Sequence, residues 1–230
     1  MLERFLHLLF PDVCIICAEP LDAGERFCCG RCVSGFDSFS GPAESGEVLR
    51  HAITSRSGGR SSFEHGWCLY RFHKGNPLQK ALHSMKYEGL FTLAESLGHQ
   101  LGQWMLSGGN AGEIECIVPV PLHYLKKIER SYNQSEKIAR GIGERIGRPV
   151  RPELLKRTRR TPSQTSLPAA LRRKNPDGAF HAAENFPPGH VLLVDDVVTT
   201  GATMRAAATA LREAGAERIS IAAIALAAFE

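Results

Sequence analysis

The sequence has no apolar run long enough to cross a bilayer, which takes roughly 18 residues. Its stretch "ISIAAIALAAF", Ile219 to Phe229, falls well short of that length and reads as a buried strand. No G-x-x-x-x-G-K-[ST] loop is present, which removes the P-loop nucleoside triphosphatases from consideration. Internal repeats are absent too, and so is low-complexity sequence outside one segment between Ser38 and Ser62. The opening "MLERFLHLLF" is interrupted by charges and a histidine and carries no small-residue cleavage site, so it is expected to be a short amphipathic helix and not a secretory signal. A cytoplasmic protein is expected from these features. With 43% hydrophobic residues, the 230-residue chain can bury a core of one domain plus a small appendage.

Cysteine is concentrated at one end. Five of the seven cysteines fall between Cys14 and Cys32, as "CIIC" and "CCGRC". Reduced thiols in two C-x-x-C knuckles supply four soft ligands for a closed tetrahedral zinc site, here Cys14, Cys17, Cys29 and Cys32. Cys28 is spare and stands as an alternative to Cys29. With four protein ligands and no open position, such a site is structural. Cys68 and Cys116 lie in expected strands and read as small core residues.

The division expected is a zinc-binding segment over 1–40, a linker rich in Gly, Ser and Pro over 41–62, and the main domain over 63–230. In that domain "HGWCLYRF", "ECIVPVP", "HVLLVDD" and "RISIAAIAL" read as strands. Helices are expected over 77–86, 91–106, 133–146 and 202–214. Strands alternating with helices predict an α/β fold with a parallel sheet covered on both faces. The net charge of +4 is uneven: between Arg151 and Lys174 stand eight basic residues against the single Glu153. That window reads as a solvated face or as an anion-binding loop.

The stretch "VLLVDDVVTTGAT", Val191 to Thr203, concentrates the chemistry. Ligands of an open parallel sheet collect beyond the carboxyl ends of its strands, where Asp195 and Asp196 are expected. The following turn leads directly into a helix with unpartnered first-turn amides. Gly201 permits close backbone approach, and Thr199, Thr200 and Thr203 add hydroxyls, which together suit a phosphate. Two carboxylates beside a phosphate would repel it unless they hold something else, such as ribose hydroxyls or a magnesium ion shared with the ligand.

This pattern resembles the phosphoribosyl pyrophosphate (PRPP) motif of type I phosphoribosyltransferases. The resemblance implies that Asp195 and Asp196 bind the ribose 2'- and 3'-hydroxyls and that Thr199, Thr200, Gly201, Ala202 and Thr203 cradle the 5'-phosphate. Together with the cysteine knuckles, "VPVPLH" (Val118 to His123), "RSYNQS" (Arg130 to Ser135), "KRTRRTPSQTSL" (Lys156 to Leu167) and "RRKNPDGAF" (Arg172 to Phe180) widen the resemblance to the ComF family of competence-related proteins. That family is phosphoribosyltransferase-like with an N-terminal zinc segment.

The resemblance implies a Mg-dependent transfer of ribose 5-phosphate from PRPP to an acceptor that no segment dictates. The alternative is a PRPP sensor without catalysis, or a protein handling single-stranded DNA together with competence proteins. Lys126, Lys127 and Arg130 are candidate pyrophosphate ligands, though the two lysines read equally well as a solvated face. The basic window falls where such enzymes keep a mobile loop, which singles out Arg157 and Arg172 ahead of Arg159 and Arg160, with Gln164 and Asn175 as polar ligands. Lys86, in "HSMKYEG", matches a position that the resemblance implies is kept basic, but reads first as a helix-surface lysine. His83 and His123 are acid or base candidates by position alone and read first as ordinary surface or packed histidines, and Tyr132 is a candidate stacking platform for DNA.

Overall fold

The structure is a computed structural model that describes residues 12–55, 63–87, 90–122, 132–157, 179–184, 186 and 189–227. Among them run helices α1 (Gly30–Ser34), α2 (Pro42–Thr54), α3 (Pro77–Tyr87), α4 (Phe91–Ser107), α5 (Gln134–Ile146) and α6 (Ala202–Glu213). The strands are β1 (Asp37–Ser38), β2 (Gly66–Phe72), β3 (Cys116–Pro119), β4 (Leu155–Arg157), β5 (Phe180–Ala182), β6 (His190–Val198) and β7 (Arg218–Ala227).

Five strands form one sheet in the order β1-β2-β7-β6-β3. β2, β7, β6 and β3 are parallel, and only the short edge strand β1 runs antiparallel, against β2. The parallel α/β architecture expected from the sequence is therefore the one observed. Successive side chains of a strand face opposite ways, and β6 shows it: Leu192 and Val194 join one core layer, Val191 and Leu193 the other. The first layer holds α3, α4, α5 and the cysteine segment; the second holds α2 and α6. α4 and α5 lie in backbone contact because a Cβ on Gly98 would sit 2.2 Å from the Ile138 carbonyl oxygen, and one on Gly141 would sit 2.2 Å from that of Glu95.

Two findings differ from expectation. Residues 42–54 of the expected linker form α2, starting with Pro42 in its first turn and burying Leu49 and Ile53 completely. Composition misled here because the glycine and serine of this helix, Gly46 and Ser45, are packed rather than solvated. A Cβ on Gly46 would fall 2.3 Å from the Gly66 carbonyl oxygen, and Ser45 Oγ accepts hydrogen bonds from Cys68 N–H and Trp104 Nε1. Second, β4 and β5 pair antiparallel as a separate two-stranded ribbon, with Arg157 opposite Phe180. Cys68 and Cys116 are buried in strands, as expected. The N-terminal 1–11 lie outside the described residues.

Candidate functional site

β2, β3 and β6 all end toward one cavity of about 490 Å³. Phe72 reaches it from the end of β2, Val120 and Leu122 from the exit of β3, and Asp195, Asp196, Thr199 and Thr203 from β6 and the turn after it. α3 forms a wall with Leu82, His83, Lys86 and Tyr87, and β4 contributes Arg157, whose guanidinium lies 5.1 Å from the centre of the Phe180 ring. The opening thus sits at the carboxyl ends of parallel strands, where main-chain and side-chain polar groups converge.

The turn after β6 is shaped by Gly201, which caps α6 with φ +70° in the left-handed region. A Cβ there would also come 2.9 Å from Ile53 Cγ1, so the position excludes side chains for two separate reasons. Arg205 Nη1 donates at 2.9 Å both to the Thr200 carbonyl and to the Ile53 carbonyl, fastening the turn to the end of α2. A concavity of about 30 Å³ is enclosed by Asp195 and residues 197–204, and Thr199 and Thr200 are exposed beside it.

The acidic pair is held from two helices. Ser135 Oγ, near the start of α5, donates to Asp195 Oδ1 at 2.9 Å, and Lys86 Nζ lies 3.1 Å from Asp196 Oδ2. Burial pushes the Asp195 carboxyl up to about 7, helped by the charge of Asp196 and opposed by the Ser135 hydrogen bond and by Lys86. The site therefore presents one carboxyl that titrates near neutrality beside another paired with a cation.

Residues 91–228, which include this turn and the two carboxylates on the strand before it, match the phosphoribosyl transferase domain family. The chain belongs to the phosphoribosyl transferase domain family. It is 28% identical over 216 residues to "Competence protein F" of Haemophilus influenzae, covering 90% of this chain and 94% of that protein. It is 30% identical over 148 residues to "DNA utilization protein YhgH" of Salmonella typhimurium, covering 63% of this chain and 65% of that relative's length. A solved "glutamine phosphoribosylpyrophosphate (PRPP) amidotransferase" from B. subtilis, complexed with ADP and GMP, superposes with a TM-score of 0.43 at 25% identity, over 56% of this chain and 25% of that one. The resemblance to ComF proteins drawn from the sequence is borne out by the first of these relatives.

In this phosphoribosyl transferase family member the N-terminal cysteines also converge. The Sγ atoms of Cys14, Cys17, Cys29 and Cys32 all lie within 4.8 Å of one another. Tetrahedral zinc with bonds of about 2.3 Å places its sulfurs about 3.8 Å apart, so the set fits that ion. Backbone N–H groups of Ile16 and Cys29 donate to Cys14 Sγ at 3.4 and 3.3 Å. Burial pushes the Cys14 thiol up, but such backbone donors outweigh it and bring it down to about 6, which favours the thiolate a metal requires. Cys28 is buried among apolar residues outside the cluster and is pushed up to about 12, chiefly by burial. The spare cysteine is thus the first of the adjacent pair. No helix among the described residues is long and apolar enough to cross a membrane.

Of the other expected site residues, Asp195, Asp196, Thr199, Thr203 and Arg157 share the main cavity, and Thr200, Gly201 and Ala202 shape the turn. Lys126, Lys127, Arg130 and Arg172 lie outside the described residues, as do Arg159, Arg160, Gln164, Asn175 and His123. His83 borders the cavity, with its ring 4.7 Å from that of Tyr87. The Tyr132 hydroxyl donates to the Met85 carbonyl, and its ring meets Phe91 edge-on, so it serves to join α3, α4 and α5.

Lys86, expected on the helix surface, instead points at Asp196 with only 21% of its side chain exposed. The signal was present, since Lys86 continues the apolar stripe of Leu78 and Leu82 at four-residue spacing. Ser135, inside "RSYNQS", carries no mark in the sequence that sets it apart from its neighbours. Ile53 and Arg205 carried no local signal, because their role arises only where α2 meets the turn.

Proposed function

We propose that this chain binds PRPP together with magnesium and transfers its ribose 5-phosphate to an acceptor. The observation that carries the reading is the meeting, in one cavity, of the Asp195–Asp196 pair with the Gly201 turn at the start of α6. The turn would take the 5'-phosphate on its amides and threonine hydroxyls, and the two carboxylates would take the ribose hydroxyls. When bound with PRPP, magnesium would supply charge neutralisation at the pyrophosphate. Breaking the bond at the sugar's reactive carbon builds positive charge on the ring and negative charge on the departing pyrophosphate. The chain's task is then to orient the ring and to place fixed cations at the leaving group, with Arg157, Arg172, Lys126, Lys127 and Arg130 in that role. In a reducing cytoplasm the four cysteines would hold a structural zinc ion.

Calorimetry of Mg-PRPP against the zinc-loaded protein tests the reading: saturable binding supports it, and its absence in a folded sample removes it. Release of pyrophosphate on adding an acceptor separates a transferase from a PRPP sensor. A second reading, single-stranded DNA handling in natural transformation, is favoured by the competence and DNA-utilization names of the relatives. It requires binding that weakens steeply with salt whether or not PRPP is present.

A further inference from the structure

Asp195 and Asp196 are adjacent, yet their carboxylates are engaged differently. Both hydrogen bonds described to the Asp195 carboxylate end on Oδ1, one from Ser135 Oγ and one from the Asp196 backbone N–H, each at 2.9 Å. Asp196 has both oxygens occupied: Oδ1 accepts from Val197 N–H at 2.7 Å, and Oδ2 faces Lys86 Nζ at 3.1 Å. Oδ2 of Asp195 is therefore the oxygen that these contacts leave for a ligand.

Ser135 is itself set rigidly. It is 2% exposed. Its backbone N–H donates to Asn133 Oδ1 at 3.1 Å, and Asn133 Nδ2 donates to the Val120 carbonyl at 3.1 Å. The serine hydroxyl thus has its position fixed both by the start of α5 and by the exit of β3. A buried hydroxyl donating to a carboxylate restricts the rotation of that carboxylate, and such a bond is stronger than one between neutral groups.

We propose that Ser135 is a positioning residue for the sugar site: it turns the Asp195 carboxylate so that Oδ2 meets a ring hydroxyl of the ribose, while Lys86 balances the charge of Asp196. This rests on reading the cavity as a ribose phosphate site. It makes the two aspartates unequal, with Asp195 preset for the hydroxyl and Asp196 shared with a cation.

The test compares ribose 5-phosphate with 2,3-dideoxyribose 5-phosphate, which keeps the ring and phosphate but lacks both hydroxyls, by calorimetry on the full zinc-loaded chain. The unaltered protein is expected to prefer the ribose compound. Ser135→Ala is expected to cut that preference about 10-fold, the worth of one hydrogen bond to a charged group, while leaving affinity for the dideoxy compound unchanged. Ser135→Thr, which keeps the hydroxyl, restores the preference. Ser135→Cys, with a weak S–H donor in nearly the same volume, is expected to lie between and serves if the alanine variant does not fold.

An equal loss of affinity for both compounds in Ser135→Ala, or an undiminished preference, overturns the proposal and leaves the ribose phosphate reading intact. An unaltered protein that binds PRPP without distinguishing the two sugars overturns the proposal and also removes the carboxylates from the ribose hydroxyls, leaving only the phosphate part of the reading. An unaltered protein that binds neither PRPP nor either sugar phosphate overturns that reading and this proposal with it.

Discussion

Ile53 and Gly201 are in contact across the molecule: the last turn of α2 occupies the space that a side chain on Gly201 would need, with Ile53 Cγ1 2.9 Å and Ile53 Cα 3.1 Å from the missing Cβ. Arg205 reinforces the contact by bonding the carbonyls of Ile53 and Thr200 together. The turn after β6 is therefore supported from behind by a helix that lies far from it in sequence.

Gly201→Ala is accordingly expected to lower stability by about 1–3 kcal/mol, since it combines a left-handed backbone with a clash against α2. Urea denaturation reads the stability loss, and calorimetry should find PRPP affinity reduced in the folded fraction. Ile53→Ala leaves a cavity instead of a clash, at an expected cost of about 2–5 kcal/mol.

Replacing Asp195 and Asp196 together with alanine is expected to abolish PRPP binding while the zinc content stays at one per chain. The two sites belong to different parts of the fold, and the cysteine cluster draws no ligand from β6. Metal analysis alongside calorimetry distinguishes a lost site from a lost fold. Unchanged PRPP affinity in this variant would remove the carboxylates from the sugar site.

The pH dependence of folding should carry the mark of Asp195. Its carboxyl is held at about 7 in the folded chain, chiefly by burial, against an ordinary value of 3.8. A raised folded value means that the native state binds the proton more tightly than the unfolded one. This group's contribution is therefore fully present below the ordinary value and is lost as pH rises toward 7. Asp195→Asn, compared with the unaltered protein by urea denaturation at pH 4.5, 6 and 8, should remove that part of the slope. An identical slope in both proteins would contradict the environment described for Asp195.

The two adjacent cysteines should separate cleanly. Cys28→Ser is expected to retain stoichiometric zinc, because its thiol is buried outside the cluster, whereas Cys29→Ser loses one of four ligands and the metal with it. Atomic absorption on the purified variants checks this. Loss of zinc should also loosen α3, because Lys80 Nζ donates to the Ile16 carbonyl inside the first knuckle at 2.6 Å, and hydrogen exchange over 77–87 would report it.

The strands and helices of the main domain were legible because each carries a complete local pattern. β6 carries the apolar run Val191–Val194 and β7 the apolar run Ile221–Ala227, each suited to burial on both faces, and α5 and α6 have amphipathic spacing. α2 was not legible, since Gly46 and Ser45 look like linker residues until Gly66 and Trp104 are known to lie against them. β4 and β5 are three residues each and pair across a long stretch of chain, so neither has a local period to read.

By itself, the sequence determined which reactive groups stand together: four thiols in two knuckles, two carboxylates ending a buried strand, and a glycine with threonines opening a helix. These are short-range facts, set by residue type and by spacing within one turn or one strand. Only the tertiary structure decided how the pieces are held and biased. It brought Lys86 to Asp196, Ser135 to Asp195 and Ile53 to Gly201, and it chose Cys29 over Cys28. Such pairings depend on which faces of distant helices are buried against one sheet, a property of the assembled core and not of any segment within it.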